Sequence, residues 1–236
     1  FGLLGLLSTF GMLGRTSRLK VFAPECYASL FEQQMDFFMQ GMTYEIEFVP
    51  VDTTLQKVVY EDHSVTVETV PLRHRVPCCG YIFREKPTLP HIRRDMIDYY
   101  GIPLSQINNI KNGADWTTPE GDIVPNSRLV EPADAPRSYA YCSDTCYLPD
   151  LYERVKDVTV LYHESTYTSE NEDRAKIYYH STARQAALVA QKAGAGRLLL
   201  GHYSARYNNE NVLLEEAKAV FPESYLSQEG MVFEVK

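Results

Sequence analysis

Three short strand-like runs of this chain each lead into a residue that can bind a metal ion. The three residues are His74, Asp144 and His202, and the runs before them are apolar or alternate apolar with polar residues. Because a strand held in a sheet fixes the side chain at its end, it can meet the tight geometry of metal coordination. Two imidazoles and a carboxylate suit Zn²⁺ or a similar divalent ion. The sequence therefore predicts a metal site, and chemistry at it, where these strands end.

Each of these residues, taken alone, also fits a simpler interpretation. A histidine or an aspartate that follows a strand is more often a surface or capping residue than a ligand. The metal hypothesis rests on how many such residues follow or precede predicted elements, because His163 and His180 also lie at element ends. We expect His163 to be structural, with its ring hydrogen-bonded beneath the site.

The composition indicates one large domain in a reducing compartment. With 236 residues, 44% of them hydrophobic, the chain can bury a sizeable core. Its five cysteines are odd in number and form no C-x-x-C pair, which argues against a disulfide framework and favours the cytoplasm. Residues 1–14, the most apolar stretch, are too short to span a bilayer and follow no basic segment, so we expect neither a membrane helix nor a signal peptide. Burial of this stretch in the core is expected instead.

The net charge of −8 argues against a nucleic-acid-binding protein. Lys and Arg drive phosphate binding by releasing counterions, and an acidic surface repels phosphates. Divalent ions bound at the site would add positive charge where it is needed. The net charge therefore weakens this class of function without excluding it.

Strand and helix patterns alternate along most of the chain. Such alternation predicts an α/β fold in which helices cover the outer faces of sheets. Residues 84–137 break the pattern and are interpreted as an insertion, because long irregular connections are usually functional or mobile. The predicted strands are 19–22, 44–51, 56–60, 65–70, 80–83, 139–142, 158–162, 197–201 and 231–235, and the predicted helices are 25–39, 91–100, 148–155, 181–193 and 211–220.

Five short motifs occur in the order and spacing of a known family. They are Pro71–His74, Ser143–Thr145, His163–Thr166, His180–Thr182 and Gly201–Tyr207. On these motifs the chain resembles ribonuclease Z, the tRNA 3′-end endonuclease of the metallo-β-lactamase superfamily, over nearly its whole length. The resemblance implies an α/β fold, the αββα sandwich of metallo-β-lactamases, with a single domain over residues 1–236 and an inserted exosite arm at residues 84–137.

The resemblance also implies two Zn²⁺ ions per subunit. His74, Asp144 and His202 match three of the family's metal ligands, with Asp144 bridging the two ions. The remaining ligands lie in an H-x-H-x-D-H loop, and residues 1–7 look like the segment that directly follows that loop in the family. We therefore expect this chain to be the N-terminally incomplete part of a longer protein, with its activity impaired without the loop.

His180 and Glu164 match a family pair implicated in stabilising the transition state or protonating the leaving 3′ oxygen. A carboxylate such as Glu164 can hold an imidazole in one tautomer and keep it protonated. Ser181 and Thr182 precede a predicted helix whose free amides favour anions, so we expect them to bind the substrate phosphate; helix capping is the competing interpretation. Arg206 fits bidentate phosphate binding, the alternative being a solvated surface arginine.

The insertion corresponds, in the resemblance, to the arm that grips the tRNA elbow. Its composition is not basic, because residues 84–137 hold seven basic and eight acidic residues, a net of −1. Neutral groups commonly contact phosphate and ribose, so Asn108 and Asn109 are predicted exosite residues. The positively charged Lys111 is predicted to act with them. A dimer-contact or purely structural role fits the arm equally well.

The combined prediction is a cytoplasmic, zinc-dependent endoribonuclease that removes the 3′ trailer from precursor tRNA by attack of a metal-activated water on the phosphodiester. The resemblance implies a homodimer, to whose interface residues 1–14 would contribute if they are exposed, and no membrane association is expected. One alternative is another hydrolase of the same fold, such as a phosphodiesterase or a lactonase, because a fold does not determine a function. The other is a metal-free tRNA-binding or dimerising partner.

Overall fold

The computed structural model describes residues 2–236, so Phe1 of the apolar N-terminal stretch lies outside the described residues. The strands are β1 (Leu19–Pro24), β2 (Ile46–Val51), β3 (Val58–Glu61), β4 (Val65–Pro71), β5 (Cys79–Glu85), β6 (His91–Ile92), β7 (Trp116–Thr117), β8 (Ile123–Val124), β9 (Val130–Glu131), β10 (Ser138–Cys142), β11 (Val160–Glu164), β12 (Arg197–Gly201) and β13 (Ser224–Leu226). The helices are α1 (Leu3–Met12), α2 (Ala28–Phe38), α3 (Arg94–Tyr100), α4 (Leu104–Lys111), α5 (Asn126–Leu129), α6 (Leu151–Arg154), α7 (Glu172–Tyr178), α8 (Ala183–Ala193) and α9 (Asn211–Lys218).

The described chain divides into two compact units. The first comprises the residues up to Asp62, Thr66–Phe83 and Ser138–Lys236, and the second comprises His63–Val65 and Arg84–Arg137. The second unit therefore contains the segment that interrupts the alternation of strands and helices.

The first unit is built on a sheet that has seven strands within residues 2–236, in the order β13-β12-β11-β10-β5-β4-β3. Strands β10 to β13 pair in parallel, whereas β3 and β4 are antiparallel. Leu198 and Leu200 on β12 are fully buried, as expected for a parallel strand inside a sheet. Because neighbouring parallel strands end at the same edge, the residues that follow β10, β11 and β12 are brought together there.

Helices α6, α8 and α9 pack against this sheet and form its main core. Helix α8 contributes mainly small residues such as Ala186 and Ala190, which allow the helix to approach the sheet closely. A capping box starts the helix: the Thr182 hydroxyl accepts from the Gln185 backbone N–H, and the Gln185 side chain accepts from the Thr182 N–H. Gly194, in the left-handed conformation with φ 65°, ends it.

A second sheet of the first unit consists of the parallel strands β1 and β2, and helices α1 and α2 pack against it. Leu7 and Phe31 are buried between these helices and strands. The two sheets contact each other at Phe22, whose ring meets the Tyr60 ring edge-on at 6.1 Å and whose carbonyl accepts from the Tyr81 hydroxyl at 3.4 Å. The layers are thus helices, sheet, sheet and helices, as the αββα prediction requires.

The second unit has a small core of its own. It contains α3, α4 and α5 together with two antiparallel pairs, β6 with β9 and β7 with β8. Ile102, Ile110, Val124 and Leu129 are buried at its centre, with Trp116 packed against them. The insertion is therefore a folded element rather than an irregular connection.

Two predictions about the ends of the chain are wrong. Residues 231–235 form no strand, because the last strand is β13, and an alternating apolar pattern without a neighbouring strand to bond to does not form a ladder. The apolar stretch at the N-terminus is buried only in part: Leu7 is buried, but Met12 and Leu13 are 77% and 80% exposed. Helix α1 packs one side on the β1 and β2 layer, and its other side is exposed in the part of the chain that the structure describes.

Three predicted helices begin three residues later than expected, one of them α6, which starts at Leu151 instead of residue 148. The helix predicted at 25–39 starts as a 3-10 turn over Glu25–Tyr27 before α2. The helix predicted at 91–100 starts at Arg94, because His91 and Ile92 pair with β9. No helix within residues 2–236 has the length and apolar character needed to cross a membrane.

Candidate metal centre

The residues predicted to bind metal follow the ends of strands in the large sheet. His202 comes directly after β12, Asp144 two residues after β10, and His74 three residues after β4. His180 lies between α7 and α8, and Glu164 is the last residue of β11. The sheet edge and the start of α8 thus supply every side chain of the cluster.

These side chains lie close enough to share bound ions. His202 Nε2 is 3.1 Å from Asp144 Oδ1, and the ring of His180 lies between the rings of His74 and His202, with centroids 5.1 and 5.2 Å away. One ligand atom from each of His74, Asp144 and His180 lies within 4.8 Å of the others, and the same holds for Glu164, His180 and His202. Imidazole nitrogens and carboxylate oxygens at such separations are a donor set that fits a divalent ion such as Zn²⁺.

Hydrogen bonds at Nδ1 orient all three imidazoles of this cluster. The Tyr179 carbonyl that faces His74 can only accept, so His74 Nδ1 carries the proton and its Nε2 keeps a lone pair that could bind a metal. Bonds of this kind are the usual means by which proteins orient metal-binding histidines. The three contacts are His74 Nδ1 to the Tyr179 carbonyl at 3.0 Å, His180 Nδ1 to Glu164 Oε1 at 2.9 Å, and His202 Nδ1 to Thr166 Oγ1 at 2.9 Å.

Glu164 is a fully buried carboxylate that accepts four hydrogen bonds. The Thr145 N–H and His180 Nδ1 donate to Oε1, at 2.7 and 2.9 Å, and the Thr166 hydroxyl and Ser181 N–H donate to Oε2, at 2.6 and 2.9 Å. Burial alone would raise the pKa of this carboxyl, but the bonds from His180, Ser181 and Thr166 outweigh burial and hold the pKa below its usual value. Glu164 therefore stays ionised and joins the loop after Asp144 to the start of α8.

The hydrogen bond between Glu164 and His180 raises the pKa of His180 above its usual value, while burial opposes that shift. The geometry that the sequence suggested for this pair, a carboxylate against one ring nitrogen, is the geometry observed.

The backbone at the cluster adopts a conformation that few residues other than glycine tolerate. Asp144, His202 and Tyr179 have φ angles of 54°, 57° and 61°, in the left-handed region. Each costs conformational energy that the surrounding hydrogen bonds must offset, and strain of this kind is concentrated at functional sites. The sharp turns direct Asp144 and His202 back toward each other directly after their strands end.

Ser181 and Thr182, predicted to bind the substrate phosphate, have their polar groups occupied internally. Ser181 is fully buried, its hydroxyl donates to the Thr145 carbonyl at 2.8 Å, and its N–H donates to Glu164. Thr182 is 1% exposed and caps α8. Capping, the competing interpretation, describes Thr182, and neither hydroxyl is exposed to receive a phosphate.

Arg206, the other predicted phosphate ligand, lies at the margin of the cluster. Its guanidinium is 5.4 Å from the centre of the Tyr167 ring, and that ring meets His180 edge-on at 6.2 Å. Arg206 Nη1 also donates to Asn171 Oδ1 at 3.4 Å. The side chain is exposed, so it remains available to an anion near the site.

His163 and the predicted exosite residues are not among the side chains that form the cluster. His163 is fully buried, with Nδ1 donating to the Glu164 carbonyl at 2.7 Å, and burial lowers its pKa, which fits a structural role. Asn108 and Asn109 are exposed and Lys111 is half-buried, all on α4 of the second unit.

The sequence analysis missed Thr166 and Tyr179, which orient His202 and His74. Thr166 stands in one of the motifs quoted above, but nothing in its residue type distinguishes an orienting hydroxyl from an ordinary one. Tyr179 acts through its backbone carbonyl, so its side chain gives no signal at all.

Comparisons with known proteins identify the family and the fold of this chain. No family model matches the chain. Ribonuclease Z of Bacteroides fragilis strain YCH46 is 48% identical over 231 residues, which cover 98% of this chain and 76% of that protein. Ribonuclease Z of Phocaeicola vulgatus is 48% identical over 236 residues, covering 100% and 76%.

Solved structures show the same fold at much lower identity. The metallo-β-lactamase fold protein YhfI of Bacillus subtilis has a TM-score of 0.62 at 15% identity, covering 98% of this chain and 70% of that one. Human tRNase Z, short form, has a TM-score of 0.61 at 19% identity, covering 100% and 74%. Together with the identity of 48% sustained along the chain, these findings establish that the chain belongs to the ribonuclease Z family and has the metallo-β-lactamase fold.

Proposed function

We propose that this protein is a metal-dependent endoribonuclease that removes the 3′ trailer from precursor tRNA. The observation that carries the proposal is the cluster at one sheet edge in which His202 Nε2 lies 3.1 Å from Asp144 Oδ1, and ligand atoms of His74, Asp144 and His180 lie within 4.8 Å of one another. Family membership supplies the substrate class, because the relatives are named ribonuclease Z and one solved neighbour is a tRNase Z.

His74, Asp144 and His202 would hold the divalent ions, which we propose are two Zn²⁺ per subunit. When bound, such ions supply activation of water and stabilisation of the charge that grows on the phosphate. Asp144, whose Oδ1 lies 3.1 Å from His202 Nε2, would supply the carboxylate of this donor set. The left-handed turns at Asp144 and His202 fix these donors without requiring a loop to move.

His180 is proposed to hold a proton at Nε2 for the departing 3′ oxygen. Its Nδ1 is bonded to Glu164, so Nε2 is the ring atom left for the substrate, and the ring lies between those of His74 and His202. Glu164 orients the ring and, being ionised, balances the charge of the imidazolium. Arg206 is the proposed contact for a flanking phosphate.

Residues 84–137 are proposed to form an exosite arm on a single metallo-β-lactamase-like domain. Asn108 and Asn109 expose amide groups on α4, and Lys111 adds a positive charge at its end. Such groups bind phosphate and ribose without sequence preference, which suits an enzyme that acts on many tRNAs. We further propose that the protein works in the cytoplasm as a homodimer.

The metal assignment is tested in the full-length protein as naturally translated. His74→Ala, Asp144→Ala and His202→Ala should each abolish cleavage of a precursor tRNA and lower the bound zinc, while tRNA binding stays near the wild-type value. His91→Ala, which removes an exposed histidine of the second unit, is the matched control and should keep full turnover. Unchanged turnover in all three cluster variants would refute the proposal.

The arm is tested by replacing Asn108, Asn109 and Lys111 together by alanine. We expect KM for precursor tRNA to rise several-fold with little change in kcat, because these contacts lie outside the metal cluster. Lys218→Ala, an exposed lysine at the end of α9, controls for the loss of a positive charge. An unchanged KM would leave the arm without a role in tRNA binding.

A further inference from the structure

Thr166 has a buried hydroxyl that touches two groups of the proposed centre at once. The residue is 5% exposed, and its Oγ1 lies 2.6 Å from Glu164 Oε2 and 2.9 Å from His202 Nδ1. The His202 carbonyl is also near, at 3.0 Å. No other side chain among residues 2–236 that the structure describes is bonded to His202 Nδ1.

The direction of these bonds follows from counting protons. A threonine hydroxyl has one proton, and an ionised carboxylate can only accept. The bond to Glu164 is the shortest of the three and is charge-assisted, so the hydroxyl proton points to Oε2. The oxygen of Thr166 is then free to accept from His202 Nδ1, while His202 Nε2, which lies 3.1 Å from Asp144 Oδ1, is the atom that would face an ion.

We propose that Thr166 is a positioning residue that orients His202 for metal binding. It relays the influence of Glu164, so that a single carboxylate orients His180 directly and His202 through the hydroxyl. The inference rests on the proposed function, because it takes His202 to be a metal ligand. It adds to that proposal the group that selects the tautomer of His202.

The backbone around Thr166 is fixed independently of its hydroxyl. The Ser165 N–H and hydroxyl both donate to the Gly201 carbonyl, at 2.9 and 3.1 Å, and the Ser204 N–H donates to the Thr166 carbonyl at 3.2 Å. These bonds continue the pairing of β11 with β12 past the strand ends. Replacing the hydroxyl therefore removes one orienting contact and leaves the segment in place.

Thr166→Val keeps the shape of the side chain and removes its hydroxyl, while Thr166→Ser restores the hydroxyl. Loss of a group that orients a ligand typically lowers metal affinity about 10- to 100-fold. We expect that loss for the valine variant and an affinity within about threefold of wild type for the serine variant. Thr69→Val is the matched control, because Thr69 in β4 is likewise buried and its hydroxyl donates to the Leu55 carbonyl, away from the cluster.

Two measurements on the full-length protein test the proposal. Zn²⁺ affinity is measured by competition with a chelator, and the tautomer of His202 is read from the ring ¹⁵N shifts in the metal-free protein, with His202→Gln used for assignment. Because Asp144 faces Nε2, the informative signal is the proton on Nδ1. We expect Nδ1 to carry a proton in wild type, in Thr166→Ser and in Thr69→Val, and to lose it in part or in full in Thr166→Val. Thr166→Ala replaces the valine variant if that variant does not fold.

The outcomes separate this inference from the proposed function. A wild-type protein that fails to bind Zn²⁺ contradicts the proposed function, while the tautomer of His202 still reports on Thr166. A Thr166→Val protein with wild-type affinity and a wild-type tautomer overturns the role given to Thr166, whatever the activity of the enzyme.

Discussion

Glu164 is the single residue on which most of the cluster depends, since its two oxygens bind four donors from three separate parts of the chain. A buried carboxylate is retained at such a position only if its partners offset the cost of removing it from water. Both oxygens of Glu164 are offset in this way, by two backbone and two side-chain donors. Glu164 therefore both stabilises the fold and orients His180, and each role can be tested by a measurement of its own.

Glu164→Gln should destabilise the protein by about 3 kcal/mol. The new amide presents two N–H groups to donors that formerly met an oxygen, and the loss of a buried, hydrogen-bonded charge costs roughly this much. Denaturant unfolding followed by circular dichroism measures the change. Glu172→Gln, in an exposed i,i+4 pair with Lys176, should change stability by less than about 0.5 kcal/mol. Equal effects of the two variants would contradict the importance given to Glu164.

Gly80 shows how a residue without a side chain can be required by the sheet. A Cβ added there would lie 2.4 Å from the backbone oxygen of Tyr141 on β10, a distance that cannot be relieved without moving a strand. Gly80→Ala should therefore destabilise the protein by roughly 2 kcal/mol or more, within the range for overpacking. Gly5→Ala, in α1 with open space around it, should instead stabilise by roughly 0.5 to 1 kcal/mol. Thermal unfolding of both variants checks the opposite signs.

Sequence could predict candidate metal ligands but not the groups that orient them. His74, Asp144 and His202 could be proposed because strand patterns precede them and because metal ligands belong to a short list of residue types. Thr166 was not, since its role depends on the relative position of Glu164 and on the turn of His202, which lies 36 residues further on. The same limit explains Ser181 and Thr182: a helix start attracts phosphate or forms a cap with the same residues, and only burial separates the two.

At the level of elements, hydrophobic periodicity predicted most strands of the large sheet and helix α8. Strands β4, β10 and β12 lie where alternation and apolar runs placed them, whereas β11 runs two residues further than predicted and helix α1 was not predicted. The failure at residues 231–235 is of a different kind, because a strand exists only if a neighbour offers its backbone groups. Residues 231–235 are contacted instead by the side chain of Arg197, whose guanidinium lies 5.8 Å from the centre of the Phe233 ring, and no ladder forms.

Glu85 and Arg137 join the two ends of the inserted segment, and their contact gives a prediction about pH. The Arg137 N–H and Nε donate to Glu85 Oε2 at 2.8 and 2.9 Å, and the Glu85 N–H donates to the Arg137 carbonyl at 2.9 Å. The side-chain hydrogen bond from Arg137 lowers the pKa of Glu85 from 4.5 to about 2. A carboxyl whose pKa is lowered by folding contributes stability above its unfolded pKa and loses it as the pH falls.

The free energy of unfolding of wild type should therefore exceed that of Glu85→Gln by a constant amount at neutral pH. This difference should shrink as the pH falls from about 4.5 and vanish near pH 2, where the folded carboxyl takes up its proton. Urea unfolding at a series of pH values measures it. Because both side chains are largely exposed, solvent and salt reduce the size of the effect, and high salt should reduce it further. A difference that grows toward low pH would contradict the assignment.

At the scale of the whole molecule, the residues of the candidate metal cluster and the inserted segment belong to different compact units. The metal cluster is built entirely from the first unit, whereas the second unit has its own core around Ile110 and Leu129. The acidic charge of the chain is compatible with tRNA binding only if divalent ions and a few neutral or basic groups supply the attraction locally. The two units are thus expected to respond differently to metal.

Zn²⁺ should stabilise the first unit selectively. A ligand that binds the folded state raises stability by RT ln(1 + [L]/Kd), about 2.7 kcal/mol at a hundredfold excess over Kd, and only in the regions whose opening releases the ion. In hydrogen-exchange mass spectrometry of the full-length protein, added Zn²⁺ should slow exchange in peptides covering residues 142–146, 163–166 and 200–204. Peptides covering α3 and α4 should exchange at the same rate with and without the ion, and a chelator should reverse the protection. Protection centred on the second unit, or absent from the three strand ends, would show that the ion is bound elsewhere than at His74, Asp144 and His202.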